Sequence, residues 1–209
     1  MNTMVAGEKK PETPSEGLAG LRLTRPIVMV GMMGSGKTAV GSQLARDLGV
    51  PFLDSDEAIE RAANMSVAEI FARDGEPFFR ARESEVISRL LSGRPAVVST
   101  GGGAFLSPGN RALIAERGIS LWLKADLEIL WNRVRHKTTR PLLRTADPKG
   151  TLATMLEGRT PIYQLAQVMV EAEPQMSIEH MAQKVIAALR EVPGLFEMRP
   201  AGETTDKKD

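Results

Sequence analysis

The chain has 209 residues, contains no cysteine, and balances 27 basic against 26 acidic side chains. This balance predicts no nucleic-acid partner and no anionic membrane partner. A chain without cysteine forms neither a disulfide nor a thiolate metal site, which fits a cytoplasmic protein. No apolar run approaches the roughly 20 residues of a membrane span, and no apolar segment follows Lys9 and Lys10 as a secretory signal requires.

The composition divides the chain into one domain with a tail on each side. Residues 1–24 lack hydrophobic periodicity and predict a disordered N-terminal extension, and residues 193–209 predict a flexible C-terminal tail. Within 25–192, short apolar runs alternate with helical patterns, which is typical of a parallel sheet in an α/β domain. The candidate strands are 27–31, 51–54, 96–99, 119–123 and 167–171.

The first strand leads into a glycine-rich octet at residues 31–38. Its sequence, Gly-Met-Met-Gly-Ser-Gly-Lys-Thr, fills every fixed position of the phosphate-binding pattern G-x-x-x-x-G-K-[ST]. In such a loop, backbone N–H groups cradle phosphate oxygens, the lysine reaches the β- and γ-phosphates, and the Thr38 hydroxyl serves Mg²⁺. Val40, Leu44 and Leu48 then recur every four residues, so a helix N-terminus completes the anion site.

Two carboxylates follow the second strand. Asp54 and Asp56 are two residues apart in an extended chain, so both project beyond the carboxyl end of the strand, where open α/β sheets bind ligands. One suits Mg²⁺, and the other accepts a proton or hydrogen bond from a substrate hydroxyl. The alternative is that they cap the helix predicted over 57–63. The preceding P-loop favours the functional interpretation.

The third strand ends in Thr100 and three consecutive glycines, Gly101, Gly102 and Gly103. Three glycines expose backbone N–H groups with no side chains in the way, which favours a ligand site over a simple turn.

The residues alone leave three arginines ambiguous. Arg80 and Glu83 are one helical turn apart and can pair, but on this pattern a surface pair is favoured. Arg159 is also read as a surface residue. Arg140 lies in the polar, basic stretch 136–149, which predicts a mobile loop. It is a candidate to close over a γ-phosphate, and an ordinary loop arginine fits equally well.

In their order and spacing, these segments resemble the shikimate kinase family over about residues 26–190. The resemblance rests on the P-loop, Asp54-Ser55-Asp56, Ile70-Phe71-Ala72-Arg73-Asp74-Gly75-Glu76, Phe79-Arg80, Thr100-Gly101-Gly102-Gly103, Arg140-Pro141-Leu142-Leu143 and Arg159-x-Pro-x-Tyr163. It implies ATP-dependent phosphorylation of the 3-hydroxyl of shikimate, a step of chorismate and aromatic amino-acid biosynthesis. A kinase for gluconate or a nucleoside monophosphate stays open as the alternative.

The resemblance also implies an α/β three-layer fold of the P-loop nucleoside-monophosphate-kinase type. Its five-stranded parallel sheet has the order 2-3-1-4-5 and is flanked by helices. Residues of about 55–82 form the substrate-binding subdomain, and 136–149 form a lid. The enzyme is expected to act as a monomer on ATP and shikimate with one Mg²⁺ ion.

The residue roles implied by the resemblance fall into four groups. The ATP-binding residues are Gly34, Ser35, Gly36, Lys37, Thr38, Ala39, Arg133, Arg140 and Gln175. The shikimate-binding residues are Asp56, Arg80, Gly101, Gly102, Gly103 and Arg159. Thr38 and Asp54 serve Mg²⁺, and Glu83 orients Arg80. The catalytic residues are Lys37, Asp56 and Arg140.

Overall fold

The computed structural model describes residues 20–136, 141–143 and 145–198. The strands are β1 (Leu21–Leu23), β2 (Ile27–Val30), β3 (Phe52–Asp54), β4 (Val97–Ser99), β5 (Ile119–Lys124), β6 (Val168–Glu171) and β7 (Phe196–Met198). The helices are α1 (Lys37–Leu48), α2 (Ser55–Ala63), α3 (Val67–Leu91), α4 (Pro108–Arg117), α5 (Leu127–Val134), α6 (Pro148–Tyr163) and α7 (Ile178–Arg190). Among the described residues, no helix has both the length and the apolar character of a bilayer-spanning segment.

Five strands form a parallel sheet in the order β3-β4-β2-β5-β6. Numbered along the chain, these strands have the order 2-3-1-4-5, so the implied topology is confirmed. Each strand begins and ends within one residue of its predicted segment. The prediction succeeds because β2, β4 and β5 are buried on both faces and therefore read as continuous apolar runs.

Helices cover both faces of this sheet. From β2 the chain crosses to β3 at one edge of the sheet, and each later connection, from β3 to β4, β4 to β5 and β5 to β6, runs toward the other edge. Right-handed crossovers therefore place α1 on one face and α3 to α6 on the other. On its face, α1 packs against α7. Val30 at the end of β2, and Leu121 and Leu123 of β5, are at most 1% exposed between the layers, so the core fixes the carboxyl ends of the central strands.

The predicted subdomain at about 55–82 covers α2 and α3 as far as Arg82. Ala58, Ile59, Ile70, Phe79 and Val86 form a small hydrophobic cluster separate from the main core.

The long helix α3 is interrupted at Gly75, which has a φ of 81°. A capping box at Ser66 starts its first part, and Pro77 lies in the first turn after the break. The sequence predicted two helices at these signals. The structure confirms both, joined across a kink.

The boundaries predicted for the two tails are wrong. β1 lies within the predicted extension 1–24, and β7 lies within the predicted tail 193–209. The two strands pair antiparallel, with Leu21 opposite Met198. Leu195 is fully buried. The pairing went unpredicted because neither three-residue strand has a pattern of its own. Each strand depends on its partner and on the packing of Leu23, Leu195 and Phe196 against the main core.

The stretch predicted as a lid, 136–149, ends earlier than expected. The side chain of Asp147 accepts a hydrogen bond from the Gly150 N–H at 2.9 Å and caps α6, which begins at Pro148. Leu143 is buried against the main core. Arg140 lies outside the described residues, so its role and the motion of the lid stay predictions.

Candidate active site

The glycine-rich octet joins β2 to α1 at the carboxyl edge of the sheet. Gly34 and Gly36 have φ angles of 82° and 102°, which favour glycine. A Cβ atom on Gly34 would also come within 2.6 Å of Val134 Cγ1. Gly36 is the N-cap of α1 and offers no side-chain acceptor. The first-turn N–H groups and the positive end of the helix dipole are therefore left for an anion.

The side chain of Lys37 turns back over this loop. Its Nζ atom donates to the carbonyl oxygens of Gly31 at 2.9 Å and Met32 at 3.0 Å, and only 8% of the residue is exposed. Nearby, the Ser35 hydroxyl is buried and makes no hydrogen bond with the described residues. Because an unsatisfied buried polar group is costly, the loop favours a polar ligand.

Asp54 has two structural roles at the end of β3. Its Oδ1 atom accepts from the N–H of Asp56 at 3.0 Å and caps α2, which begins two residues before the predicted start at Glu57. Its Oδ2 atom accepts from the Thr38 hydroxyl at 3.3 Å. The capping interpretation is therefore confirmed for Asp54, while the same side chain lies beside the P-loop.

Asp56 lies on the first turn of α2, close to Glu83 of α3. A Cβ atom on Gly101 would lie 2.8 Å from Asp56 Oδ1 and 2.9 Å from Glu83 Oε1, so the two carboxylates enclose this glycine. Burial raises the pKa of Glu83 to about 7; Arg80 opposes the rise, and the charges of Asp56 and Glu76 add to it.

Arg80 is held between two carboxylates. Its Nη1 atom donates to Glu83 Oε2 at 2.7 Å, and its Nη2 atom donates to Glu76 Oε1 at 3.0 Å. Burial lowers the Arg80 pKa, and the two carboxylates outweigh it, so the pKa lies above its ordinary value. The guanidinium also occupies the space that a Cβ atom on Gly103 would need. The surface pair favoured by the sequence pattern is therefore wrong; the pair lies against the triple glycine.

The carbonyl group of Gly102 is held by two side chains of α6. Arg159 Nη1 donates to this oxygen at 3.4 Å, and the Tyr163 hydroxyl donates to it as well. Tyr163 is fully buried, and its ring stacks on Trp122 with the centroids 5.9 Å apart. Burial raises the pKa of Tyr163, which keeps the hydroxyl protonated as a donor. The sequence placed Tyr163 in a motif but did not identify this contact.

A cavity of about 450 Å³ runs from the P-loop to the triple glycine. Its lining includes all six predicted residues from Gly34 to Ala39. The other lining residues are Met33, Val40, Asp54, Asp56, Ser99, Thr100, Gly101, Gly102, Arg133, Ala172, Glu173, Met176, Ser177, Ile178 and Met181. The structure therefore brings the P-loop candidates and the metal-binding candidates together with Asp56.

The other predicted residues stand in different relations to the cavity. Arg133 lines it and donates from Nη1 to the Ser35 carbonyl at 2.9 Å. Gln175 is exposed and is not among the lining residues, whereas Met176 is. Arg80 and Arg159 contact the triple-glycine loop rather than the cavity itself. The sequence placed the segment 172–181 at the ATP site only through Gln175. The apolar lining residues Ala172, Met176, Ile178 and Met181 were missed because they read as ordinary packing.

An anion-binding loop that opens onto a carboxylate, with arginines just beyond, is an arrangement that can hold a phosphate donor beside a small acceptor. Phosphoryl transfer needs this positioning and charge neutralisation more than covalent help from the protein. The fold and the site therefore define a P-loop kinase for a small molecule.

Comparisons with known proteins give the family. The shikimate kinase family model matches residues 33–190. The shikimate kinase of Cereibacter sphaeroides is 62% identical over 176 residues, which cover 84% of this chain and 88% of that protein. The shikimate kinase of Ruegeria pomeroyi is 63% identical over 178 residues, covering 85% and 90%.

A solved structure agrees with this assignment. Shikimate kinase from Acinetobacter baumannii in complex with shikimate matches with a TM-score of 0.77 and 38% identity, over 80% of this chain and 93% of that one. The chain belongs to the shikimate kinase family and is a phosphotransferase.

Proposed function

We propose that this chain transfers the γ-phosphoryl group of ATP to the 3-hydroxyl of shikimate, giving shikimate 3-phosphate and ADP. The reaction is a step of chorismate and aromatic amino-acid biosynthesis. The observation that carries the proposal is one continuous cavity lined at one end by the P-loop and at the other by Asp56, Gly101 and Gly102. A phosphate donor and a hydroxyl acceptor fit side by side in it.

The phosphates of ATP lie on the P-loop in this proposal. The first-turn N–H groups of α1 and the buried Ser35 hydroxyl supply donors for phosphate oxygens. Lys37 Nζ exchanges its bonds to the Gly31 and Met32 carbonyls for bonds to the β- and γ-phosphates. Its charge then meets the negative charge that spreads over the transferring group.

Thr38 and Asp54 fit a magnesium ion. A hydroxyl and a carboxylate are the hard oxygen donors that Mg²⁺ prefers, and these two side chains line the same cavity with their oxygens 3.3 Å apart. When bound with ATP, the ion neutralises phosphate charge. Asp54 stays oriented throughout because its other oxygen caps α2.

Asp56 is the residue proposed to act on the acceptor hydroxyl. The 3-hydroxyl oxygen forms the new bond to the γ-phosphorus while the bond to the bridging oxygen of ADP breaks. The Asp56 carboxylate receives the hydroxyl proton. Its place on the first turn of α2, in the cavity wall beside Gly101, supports this role.

Arg80 and Arg159 are proposed to bind the carboxylate of shikimate. Guanidinium groups pair with carboxylates through two parallel hydrogen bonds. The two arginines contact successive glycines, Gly103 and Gly102, at the end of the cavity. Glu83 orients Arg80 from its buried position, and Gly101, Gly102 and Gly103 leave room for the ring.

The remaining roles are proposals of the same kind. Arg133 lies against adenine, supported by its place in the cavity wall, and Gln175 lies on the other side of the base. Arg140 closes over the γ-phosphate from the lid. We further propose that the enzyme works as a monomer in the cytoplasm, which sedimentation and cell fractionation test.

A coupled assay of ADP release tests the function. Turnover is expected with shikimate and absent with gluconate or AMP, and mass spectrometry should find a single phosphate on shikimate. Lys37→Ala should abolish turnover, whereas Lys124→Ala, a change of a partly exposed lysine paired with Glu171, should not. Release that depends on gluconate or AMP, or full activity of Lys37→Ala, would overturn the proposal.

A further inference from the structure

The turn that follows the triple glycine is held by the start of α4. A single turn of 3₁₀ helix, Ala104–Leu106, comes directly after Gly103. Asn110 lies in the first turn of α4 and is only 2% exposed. Its Nδ2 atom donates to the Ala104 carbonyl at 2.9 Å. A buried side-chain amide is therefore bonded to the backbone next to the acceptor site, where shikimate is proposed to bind.

The next residue of α4 makes contacts of the same kind. Arg111 is half-buried, and its Nη1 atom donates to the carbonyl oxygens of Phe105 and Leu106, each at 2.8 Å. Two neighbouring side chains of one helix thus hold three successive carbonyl groups. We call Asn110 and Arg111 the α4 anchor.

The anchored turn and the triple glycine form one hydrogen-bonded unit. The Ala104 N–H donates to the Gly101 carbonyl at 3.1 Å, and the Leu106 N–H donates to the Gly103 carbonyl at 3.0 Å. The Gly102 carbonyl between them is held from α6. A shift of the turn would therefore shift the glycines as well.

The position of these glycines matters because two arginines lie against them. The Arg80 guanidinium occupies the space beside Gly103, and Arg159 Nη1 lies 3.4 Å from the Gly102 oxygen. Glycine has no side chain that could fix its own conformation by packing, and its backbone is the most permissive of all residues. The conformation of the loop is therefore fixed by its hydrogen bonds to other segments.

On the basis of the proposed function, we infer that Asn110 and Arg111 are positioning residues for shikimate. Neither side chain lines the nucleotide cavity. They act through the carbonyl groups of 104–106, which keep the triple glycine in place against Arg80 and Arg159. The two arginines then face the shikimate carboxylate at the separation that the loop sets.

A role confined to the start of α4 does not explain these bonds. The Ser107 side chain already caps the helix and accepts from the Asn110 N–H at 3.4 Å. The first turn of a helix leaves N–H groups unpaired, and the donors of Asn110 and Arg111 cannot pair with another donor. Both side chains instead reach back to carbonyl groups that precede the helix.

Steady-state kinetics tests the inference with Asn110→Ala and Arg111→Met. Each variant should raise the KM for shikimate about fivefold, as expected for one lost hydrogen bond, and leave the KM for ATP unchanged. Arg111→Lys keeps a donor and should raise it less than Arg111→Met does. Arg117→Met removes an arginine on the same helix that donates to Ser92 Oγ at 2.9 Å, and it should change neither KM. An unchanged KM for shikimate, or an equal rise for both substrates, would overturn the inference.

Hydrogen exchange without ligand separates this inference from the proposed function. The amides of Ala104 and Leu106 should exchange faster in Arg111→Met than in the wild type, and at the wild-type rate in Arg117→Met. If the wild type fails to phosphorylate shikimate, the proposed function is wrong, while the exchange rates still show whether α4 fixes the loop. Unchanged exchange in Arg111→Met would overturn the inference even in an enzyme that is active on shikimate.

Discussion

Glu83 holds Arg80 from a buried position, with Arg80 Nη1 and Glu83 Oε2 2.7 Å apart. Only 1% of the Glu83 side chain is exposed, whereas 29% of the Arg80 side chain is. The carboxylate is thus anchored inside the fold, and the guanidinium reaches toward the triple glycine. This pair fixes the orientation of Arg80 in the proposed substrate clamp. Because the pKa of Glu83 is about 7, the charge on Glu83, and with it the pair, depends on pH.

Glu83→Gln should change how stability depends on pH. Because the pKa of Glu83 rises from 4.5 to about 7 on folding, its stabilising contribution is complete below the unfolded pKa and is lost as pH rises through the folded one. One pKa unit is about 1.4 kcal/mol, so the wild type should lose on the order of 3 kcal/mol relative to the variant over this window.

Urea unfolding at about pH 4.5 and pH 8 measures that difference. Glu85→Gln is the matched control, since Glu85 pairs with Arg82 at the same spacing but is 59% exposed. A stability gap for Glu83→Gln that stays constant with pH would contradict the raised pKa.

Arg80→Lys and Arg159→Lys should each raise the KM for shikimate far more than the KM for ATP. A lost charge-assisted hydrogen bond is worth about 1.5–3 kcal/mol, or roughly ten- to a hundredfold. Lysine keeps the charge but not the planar fork. Steady-state kinetics with each substrate varied in turn makes the comparison, with Arg94→Lys as the surface control. Equal effects on both KM values would place these arginines outside the clamp.

Tyr163→Phe should disturb the acceptor site while preserving the core. The ring keeps its stacking on Trp122, but the Gly102 carbonyl loses the hydroxyl donor. We expect a destabilisation of about 1 kcal/mol and a higher KM for shikimate with an unchanged KM for ATP. Thermal unfolding and kinetics measure the two effects. A loss of stability with both KM values unchanged would reduce Tyr163 to a packing residue.

Truncations should separate the outer tails from the terminal strands. Deleting 1–19 or 199–209 should leave the melting temperature unchanged, because these segments have no apolar pattern. Extending the second deletion to 195–209 removes β7 and the fully buried Leu195. Leu195→Ala alone should cost about 2–5 kcal/mol. Calorimetry measures the melting temperature of each variant. Equal melting temperatures for all of them would show that the β1–β7 pair does not contribute to stability.

Arg140→Ala should lower kcat more than it lowers ADP affinity, because the proposed contact to the γ-phosphate forms when the lid closes. Hydrogen exchange in 136–149 should slow when nucleotide and shikimate are both present. Exchange that is already slow in the free protein would show that this segment does not act as a lid.

The sequence predicted best where one local pattern decides the structure. The P-loop octet is recognised from the spacing of its own fixed residues alone. The central strands are recognisable as apolar runs because both of their faces are buried, and the capping box at Ser66 marks the start of α3. Asp56 lies at the carboxyl edge of the sheet as predicted, but on the first turn of α2 rather than in the extended chain that the prediction assumed.

What the sequence missed depends on contacts between distant segments. The spacing of Arg80 and Glu83 shows a pair, but its burial follows from packing against Gly101 and Gly103, which are far along the chain. The contact between Tyr163 and Gly102 joins residues 61 positions apart. β1 and β7 are further still from each other, and no local signal marks either strand.

The β1–β7 pair also determines where anything attached to this enzyme must sit. Leu21 is opposite Met198, so the chain enters and leaves the described domain at neighbouring points. β1 leads into the amino end of β2, whereas the P-loop follows the carboxyl end of β2. The β1–β7 pair therefore lies toward the edge of the sheet opposite to the P-loop. A reporter or surface tether fused before β1 or after β7 is therefore attached on the side of the domain away from the active-site opening. A short linker between the two points would also permit circular permutation, with new ends cut in an exposed loop.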